Sequence, residues 1–145
     1  MDTTENNLVH RDLSSATSRE IAEEAASALF RKKGNKIRLF HVEETTVIAD
    51  YYVICSARAT THAHALADEV NYRLGLCNVH AQRTEGRDGG EWLLVDLGTV
   101  LVHVFTRDAR EYYNLERLLP QEGEADLTDL FEELKNKLES GEIEA

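Results

Sequence analysis

Apolar residues recur at the three- and four-residue spacing of amphipathic helices in several stretches of this chain, and short, nearly continuous apolar runs lie between them. The helical stretches are predicted to begin near Thr17, near Thr60 or Thr61, near Thr106 and near Asp126. The apolar runs predict strands at 37–42, 51–56 and 78–84 and in the two arms of a hairpin within 90–105. This order predicts a single α/β domain with a mixed five-stranded sheet covered by helices.

Periodicity and composition divide the chain into three parts. Residues 1–16 show no periodicity, and we expect a flexible N-terminal leader there. Residues 17–120 carry the α/β pattern. Residues 121–145 combine an acidic linker, QEGEAD, with an amphipathic helix whose polar face is mostly acidic. The sequence leaves open whether this last helix packs on the domain, on another copy of the chain or on nothing stable.

The hairpin GEWLLVDLGTVLVHVF contains the only tryptophan of the chain, Trp92. A two-residue turn at Leu97–Gly98 would place His103 opposite Trp92 on the same side. Leucine disfavours positive φ, so a three-residue turn with a bulge is the alternative. That turn would place Val102 opposite Trp92 and direct His103 to the other side. The sequence leaves both registers open.

In either register, Trp92, Leu94 and Asp96 share one side of the first arm, because side chains alternate along a strand. Most aromatic residues in strands pack in a core, but interfaces are enriched in Trp ringed by polar groups. Burying an unpaired carboxylate is costly. We therefore expect Asp96 at a rim, or beside a cation that the fold or a partner supplies.

The charge favours a protein partner over a nucleic acid. The chain has 145 residues and a net charge of -11, from 27 acidic and 16 basic side chains. Nucleic-acid-binding proteins gain affinity by neutralising phosphates with Lys and Arg, so direct sequence-specific nucleic-acid binding is disfavoured. A basic protein partner is favoured instead, because opposite charges accelerate association.

The hydropathy pattern predicts no membrane contact, because no run approaches the roughly 20 apolar residues that cross a bilayer. The first residues are polar and acidic and lack the apolar stretch of a signal peptide. Cys55 and Cys77 lie in apolar sequence, where small core residues are commoner than disulfides. A cytoplasmic location is therefore expected.

Motifs for catalysis or metal binding are weak. His62 and His64 would lie on different faces of a helix, and the chain has no HExxH or CxxC. Ser56 lacks the G-x-S-x-G elbow, the Gly-rich turn at 86–90 precedes no helix that would bind phosphate, and no D-x-D pair could hold divalent ions. We therefore expect no enzymatic activity, no catalytic or metal-binding residues and no cofactor, with a nucleotidyl or phosphoryl transferase as the alternative.

Several short motifs follow one another in an order that is specific as a set. They are DYYVICS at 50–56, His62 with Ala67–Asp68, Glu85–Gly86, W-x-x-x-D-x-G-x-x-x-x-H-V-F at 92–105, and R-x-x-Y-x-L-E at 110–116. The match that includes them runs from about Thr17 to Leu119, most of the chain. This set resembles the ribosomal silencing factor family, also called Iojap-related.

The resemblance implies a nucleotidyltransferase-like fold without the catalytic carboxylates. It also implies a translation repressor, because members of the family bind ribosomal protein fourteen of the large subunit. The bound factor sterically blocks joining of the small subunit and so lowers protein synthesis when nutrients are short. We therefore expect the large ribosomal subunit as partner, through that basic ribosomal protein, and a homodimer when the chain is free.

On this chain the resemblance implies an exposed binding face on the hairpin. Trp92 is the expected apolar anchor, and Asp96 is expected to pair with a basic side chain of the partner. Arg110 and Tyr113 either frame the face or hold its strands from behind. His103 is expected to be structural. The expected partner-binding residues are Trp92, Leu94, Asp96, Leu97, Arg110 and Tyr113.

The chain departs from the family pattern at two places. Leu118–Leu119 stands where the family usually has Leu-Trp, which puts a contact of that second aromatic residue in doubt. Residues 57–61 replace the family's small polar residues before His62. The acidic tail lies outside the resemblance. A dimeric regulatory scaffold whose tail recruits another protein is a third hypothesis.

Overall fold

The structure of the protein is a computed structural model that describes residues 11–143. Within that range, four α-helices and five strands follow one another in the predicted order. The helices are α1 (Ser18–Arg31), α2 (Thr60–Leu76), α3 (Arg107–Tyr113) and α4 (Thr128–Ser140). The strands are β1 (Asn35–His41), β2 (Tyr51–Ala57), β3 (Arg83–Glu85), β4 (Trp92–Asp96) and β5 (Val100–Thr106).

The five strands form one mixed sheet in the order β1-β2-β5-β4-β3. β2 and β5 pair in parallel, and the other neighbours are antiparallel. Helices α1 and α2 cover one face and form the larger apolar core with it. A smaller core on the opposite face lies beneath α3 and the segment that follows it. The predicted single α/β domain with a mixed five-stranded sheet is confirmed. No helix in the described range is long and apolar enough to span a bilayer.

Helix α1 begins where the sequence predicts. Thr17 Oγ1 accepts the N–H of Glu20, and Glu20 Oε1 accepts the N–H of Thr17. The helix ends in a Schellman motif, in which the N–H groups of Lys33 and Gly34 donate to the carbonyls of Phe30 and Leu29. The left-handed residue is Lys33, at φ 65°, rather than the glycine.

Gly34 is required for close packing instead. A Cβ on this residue would lie 3.2 Å from the Leu29 carbonyl oxygen and 3.3 Å from Cys55 Sγ. The glycine therefore allows the end of α1 to lie against β2. The left-handed conformation is consequently left to the preceding lysine, which has to adopt it with a full side chain.

Two elements are shorter than predicted. The strand expected at 78–84 pairs in the sheet only at Arg83–Glu85, because Asn78 at φ 65° closes the end of α2 and turns the chain away. The helix expected to run to Pro120 ends at Tyr113, where Asn114 adopts φ 47°, and a 3-10 turn follows at Leu115–Leu118.

The described residues of the predicted leader are not separate from the domain. Leu13 is buried, and its N–H donates to the Cys77 carbonyl at 2.8 Å. The folded unit therefore includes positions before Thr17. Residues 1–10 of the predicted leader lie outside the described part of the chain.

The acidic segment before α4 adheres to the edge of the sheet. Glu124 forms an antiparallel bridge with Phe40, and the Ala125 N–H donates to the Leu39 carbonyl at 2.9 Å. Arg38 binds the Glu124 carboxylate through Nε at 2.7 Å and Nη2 at 2.8 Å. The segment thus continues the β1 edge instead of hanging free of the domain.

Helix α4 packs on the domain, which decides among the three placements that the sequence leaves open. The N-cap is Leu127 rather than the predicted Asp126, whose Oδ1 accepts the Thr128 N–H from the position before the cap. Leu127 and Leu134 are buried. The ring of Phe131 stacks on that of Phe30 in α1, with centroids 4.6 Å apart and planes at 17°.

We predict that Phe131→Ala lowers the free energy of unfolding by about 1–2 kcal/mol, because it removes a half-buried ring and its stacking partner contact. Glu132→Ala, at the next and exposed position of α4, is the matched control and should change stability little. Urea unfolding followed by circular dichroism measures both. Equal stability of the two variants would show that α4 is not docked on α1.

Candidate partner-binding face

The β4–β5 hairpin turns at Gly98–Thr99. Its register pairs Trp92 with Phe105, Leu94 with His103 and Asp96 with Leu101. Gly98 has φ +96°, so the glycine occupies the first central position of a two-residue turn, where positive φ is needed.

Both registers proposed from the sequence are therefore wrong, since neither places the turn at Gly98–Thr99. Trp92 and His103 nevertheless lie on the same side of the sheet, because His103 is two residues from the direct partner of Trp92.

The indole of Trp92 is half-buried. Its Nε1–H donates to His103 Nδ1 at 3.1 Å. The rings of Phe105 and Tyr113 lie 4.7 and 4.8 Å from it, centroid to centroid. The ring is thus held on several sides but not enclosed, an arrangement that combines fixed orientation with an accessible apolar surface.

His103 is the polar support of this ring. It is 5% exposed, and the ring of Tyr52 lies 4.7 Å from it. Because Trp92 Nε1 is only a donor, Nδ1 of His103 acts as the acceptor and the neutral imidazole carries its proton on Nε2. Nε2 has no hydrogen-bond partner within the described residues. Burial lowers the pKa of His103 to about 4.

Asp96 lies further along the same side of β4 and already has partners within the chain. Its Oδ1 accepts the Gly98 N–H at 2.9 Å, and its Oδ2 lies 3.6 Å from Nε of Arg83. The side chain is 14% exposed. Two positions are predicted for Asp96, a rim or the neighbourhood of a cation. The carboxylate lies at the end of the strand, and the cation beside it, Arg83, comes from the fold. Leu94, between Asp96 and Trp92, is half-buried.

Leu97 does not belong to this side, which corrects its predicted place beside Trp92. It is 6% exposed and packs with Leu93 and Val95 in the core beneath α1 and α2. Side chains alternate along β4, and the alternation continues to residue 97. Leu97 therefore points to the opposite side of the sheet from Trp92.

Arg110 takes the second of its two predicted roles, holding the strands from behind. It is 8% exposed. Its Nη1 donates to Ser56 Oγ at 3.0 Å, and its Nε and Nη2 donate to Glu116 Oε2 at 3.1 and 2.7 Å. A guanidinium committed to these partners is not available to a second protein, so Arg110 contributes to the face only by fixing α3 on β2.

Glu116 is the centre of a partly buried charge cluster. It also accepts from Arg38 Nη1 at 3.2 Å, and Arg38 in turn binds Glu124. Burial by itself would raise the pKa of Glu116, but the hydrogen bonds and charges of Arg110 and Arg38 hold it below its usual value. The cluster joins β1, β2, α3 and the segment before α4.

Tyr113 contributes an accessible ring next to the indole. It is 46% exposed, and its neighbour Tyr112 is 82% exposed and packs edge-on against it at 5.0 Å. Of the Leu118–Leu119 pair, Leu119 is buried and Leu118 is 59% exposed. Tyr112 and Leu118 therefore add exposed apolar surface. The sequence placed both residues in a predicted helix and did not indicate that they are exposed.

The residues that sequence reasoning did not bring into the site are Tyr52 and Tyr112. Tyr52 is in a run of apolar residues that predicts burial on both faces, and nothing in that run indicates contact with His103. Tyr112 is adjacent to Tyr113, but α3 is too short for helical spacing to show that both rings are exposed.

The two histidines of α2 have structural partners, and the thiol of Cys55 is buried. His62 bridges the Arg58 N–H and the Lys32 carbonyl, and His64 bridges the carbonyls of Thr60 and Arg87. Burial raises the pKa of Cys55 to about 12, so its thiol stays protonated at neutral pH. Within residues 11–143, no three His, Cys, Asp or Glu side chains converge as metal ligands would.

We predict a pH-dependent loss of stability caused by His103. Its pKa of about 4 in the folded chain lies below the ordinary histidine value of 6.5, so the unfolded chain takes up the proton first as pH falls. The stability associated with neutral His103 is complete above pH 6.5, declines below it and is lost by about pH 4, a total of about 3 kcal/mol.

Urea unfolding of the wild type and of His103→Gln across this range measures the effect. The variant should show a shallower pH dependence, whereas His80→Gln, at an exposed position, should match the wild type. Emission of Trp92, the only tryptophan, should also change as His103 is protonated in the wild type, because a protonated imidazole no longer accepts the indole N–H. Identical slopes for His103→Gln and the wild type would contradict the assignment.

Comparison with known proteins agrees with this architecture. A family model described as "Ribosomal silencing factor during starvation" matches residues 15–144. The ribosomal silencing factor RsfS of Bacillus subtilis is 39% identical over 106 residues, covering 73% of this chain and 87% of its own. A mouse protein named "Mitochondrial assembly of ribosomal large subunit protein 1" is 32% identical over 95 residues, covering 63% and 42% of the two chains.

Two solved structures share the fold. A crystal structure of a Chromobacterium violaceum protein has a TM-score of 0.69 and 32% identity, and covers 71% of this chain and 86% of its own. One from Bacillus halodurans has a TM-score of 0.66 and 31% identity, and covers 75% and 99%. The family match includes α4 and the acidic segment before it, which the motifs in the sequence did not reach. This chain belongs to the RsfS family of ribosomal silencing factors.

Proposed function

We propose that this protein represses translation by binding the large ribosomal subunit and blocking small-subunit joining when nutrients are limiting. The proposed binding face consists of Trp92, Leu94, Asp96 and Tyr113. The family to which the chain belongs supports an association with the ribosome. The proposed contact is ribosomal protein fourteen of that subunit, which the motifs of the chain imply.

The observation that supports this face most strongly is the state of Trp92. The half-buried indole is oriented by His103 and Tyr113 and still presents part of its ring to solvent. Large rigid aromatic groups with restricted rotamers lose little conformational entropy on binding, and they are the residues that most often dominate interface energies. The exposed rings of Tyr112 and Tyr113 extend the apolar surface around this anchor.

Asp96, at the other end of β4 from the indole, suits a basic partner. Asp96 Oδ2 lies 3.6 Å from Arg83 Nε, beyond hydrogen-bonding distance. A lysine or arginine of the partner can therefore form a closer bond to this carboxylate. Because Arg83 is 65% exposed, it can move aside at little cost. When no ribosome is bound, the same apolar surface can contact a second copy of the chain and form a homodimer. The proposed site of action is the cytoplasm.

We predict that Trp92→Ala weakens binding to purified large subunits by about 2–4 kcal/mol, about 30- to 1,000-fold, because it removes the central anchor. Tyr72→Ala is the matched control, since Tyr72 is a 59% exposed aromatic residue on α2, on the opposite side of the sheet. Cosedimentation measures both affinities, at temperatures where circular dichroism shows each variant folded.

A joining assay tests the consequence for translation. Wild-type protein prebound to large subunits should reduce the fraction that pairs with small subunits, and Trp92→Ala at the same concentration should reduce it less. Wild-type affinity of Trp92→Ala would exclude this face. Tight binding without any effect on joining would exclude steric blocking.

A further inference from the structure

We infer that the protein carries a second, electrostatic contact surface for the sugar-phosphate backbone of RNA, formed by Lys33, Lys36, Arg58 and Arg107. These four residues are called the basic edge below. The inference rests on the proposed function, because it assigns ribosomal RNA as the additional partner of the subunit-bound protein. It concerns sequence-independent phosphate contacts, which do not require base recognition.

The basic edge is a concentration of cations in a strongly acidic chain. The net charge is -11, and most described Arg and Lys side chains are engaged in ion pairs. Lys33, Lys36 and Arg58 are exposed and form no ion pair with another described residue. Arg107 is 82% exposed and has only its neighbour Asp108, at 3.8 Å. Exposed pairs of this kind contribute little energy, so Arg107 can exchange its partner.

Structure at the sheet edge brings these residues to one place. Lys36, Arg58 and Arg107 line the same open cleft of ≈ 850 Å³ at the carboxyl ends of the parallel strands β2 and β5. Asn35, which precedes Lys36, pairs with Ser56, which lies two residues before Arg58. This pairing brings Lys36 and Arg58 to the same end of β1 and β2. The α1–β1 turn that carries Lys33 is fixed to the β2–α2 loop by the two hydrogen bonds of His62.

Three acidic side chains face the cleft, and one of them is already paired with arginines. Glu116 is bound by Arg110 and Arg38. Asp108 and Glu111 also line the cleft and are exposed. Three cations of the basic edge line the cleft against these two carboxylates, and Lys33 lies on the adjoining turn, so the edge carries an excess of positive side chains although the protein as a whole is negative.

Two lysines of the basic edge also have an unusual backbone conformation. Lys33 has φ 65° and Lys36 has φ 50°, a region that non-glycine residues rarely adopt because Cβ is crowded there. The other left-handed helix ends of this chain carry Asn78, Asn114 and Gly141, which tolerate that region. Only at the basic edge does the described chain place lysine in it.

Lys36 also marks an irregularity in the β1–β2 pairing, where the register shifts between Asn35 and Arg38. Such bulges redirect a side chain out of the regular alternation of a strand. Two separate backbone distortions thus present two lysines to solvent at the same edge. Local strain of this kind is held in place by the surrounding structure and clusters at binding sites.

The basic edge is close enough to the proposed binding face for both to contact one particle. α3 begins at Arg107 in the cleft and ends at Tyr113, whose ring touches Trp92. Seven helical residues span about 10 Å. A large subunit that holds Trp92 therefore brings its neighbouring RNA phosphates within reach of the basic edge, and the two contacts together fix the orientation of an otherwise negative protein.

The salt dependence of binding to purified large subunits tests this. Each phosphate contact that is lost should reduce the slope of log affinity against log salt by about 0.7–0.9. The double variant Lys33→Gln/Arg58→Gln should therefore have a slope smaller by about 1.5 between about 50 and 200 mM salt. Lys135→Gln/Lys137→Gln on α4 removes the same charge and should keep the wild-type slope.

A further variant, Lys33→Gly, separates charge from folding. It removes the lysine and relieves the left-handed strain, so its unfolding temperature should equal or exceed that of the wild type while its salt slope falls. A slope that stays at the wild-type value in Lys33→Gly and in the double variant would overturn the inference.

Hydroxyl-radical footprinting of the subunit RNA identifies the partner. The wild type should protect a stretch of RNA backbone, and Lys33→Gln/Arg58→Gln should lose that protection. A reduced slope without any protected RNA would mean an acidic protein partner and would overturn the proposal. Failure of the proposed function is distinguishable, because Trp92→Ala would then bind as the wild type does, whereas failure of the inference alone leaves the Trp92→Ala defect in place.

Discussion

The turn at Gly98–Thr99 is the constraint on which the binding face depends. Glycine at φ +96° allows a two-residue connection, and this connection sets β4 against β5 in a single register. That register brings His103 close enough for its Nδ1 to accept the Trp92 N–H. A shift by one residue would move either the indole or the imidazole to the opposite side of the sheet and remove the bond.

The accessible ring depends on a rigid support behind it. Glu116, bound by Arg110 and Arg38, holds α3 and the following turn on the sheet, and α3 places Tyr113 against the indole. Because the guanidinium of Arg110 is buried and paired, removing either partner of that pair would leave a charge without compensation. The orientation of the binding face is therefore linked to a polar cluster that no partner needs to touch.

The distribution of charge suits two proposed contacts, one with a basic protein and one with RNA phosphates. Acidic side chains outnumber basic ones in the chain, and Asp96 lies on the same side of β4 as the apolar anchor, at the other end of the strand. Exposed cations line the cleft at the carboxyl ends of β2 and β5, and Lys33 on the adjoining α1–β1 turn has a left-handed backbone conformation, as does Lys36. A net charge alone argues against any RNA contact, whereas the local arrangement permits one at a defined edge.

Local sequence determined the order of the elements, the α1 capping box and the common side of Trp92, Leu94 and Asp96, because these follow from spacing along the chain. The family could likewise be recognised from short motifs. Tertiary structure decided the register of the hairpin, the burial of Leu97 and the pairing of Arg110. It also ended α3 at Asn114, since Glu116 can reach Arg110 only if the helix stops and the chain turns back. These outcomes depend on contacts between residues distant in sequence, and spacing along one chain segment carries no information about them.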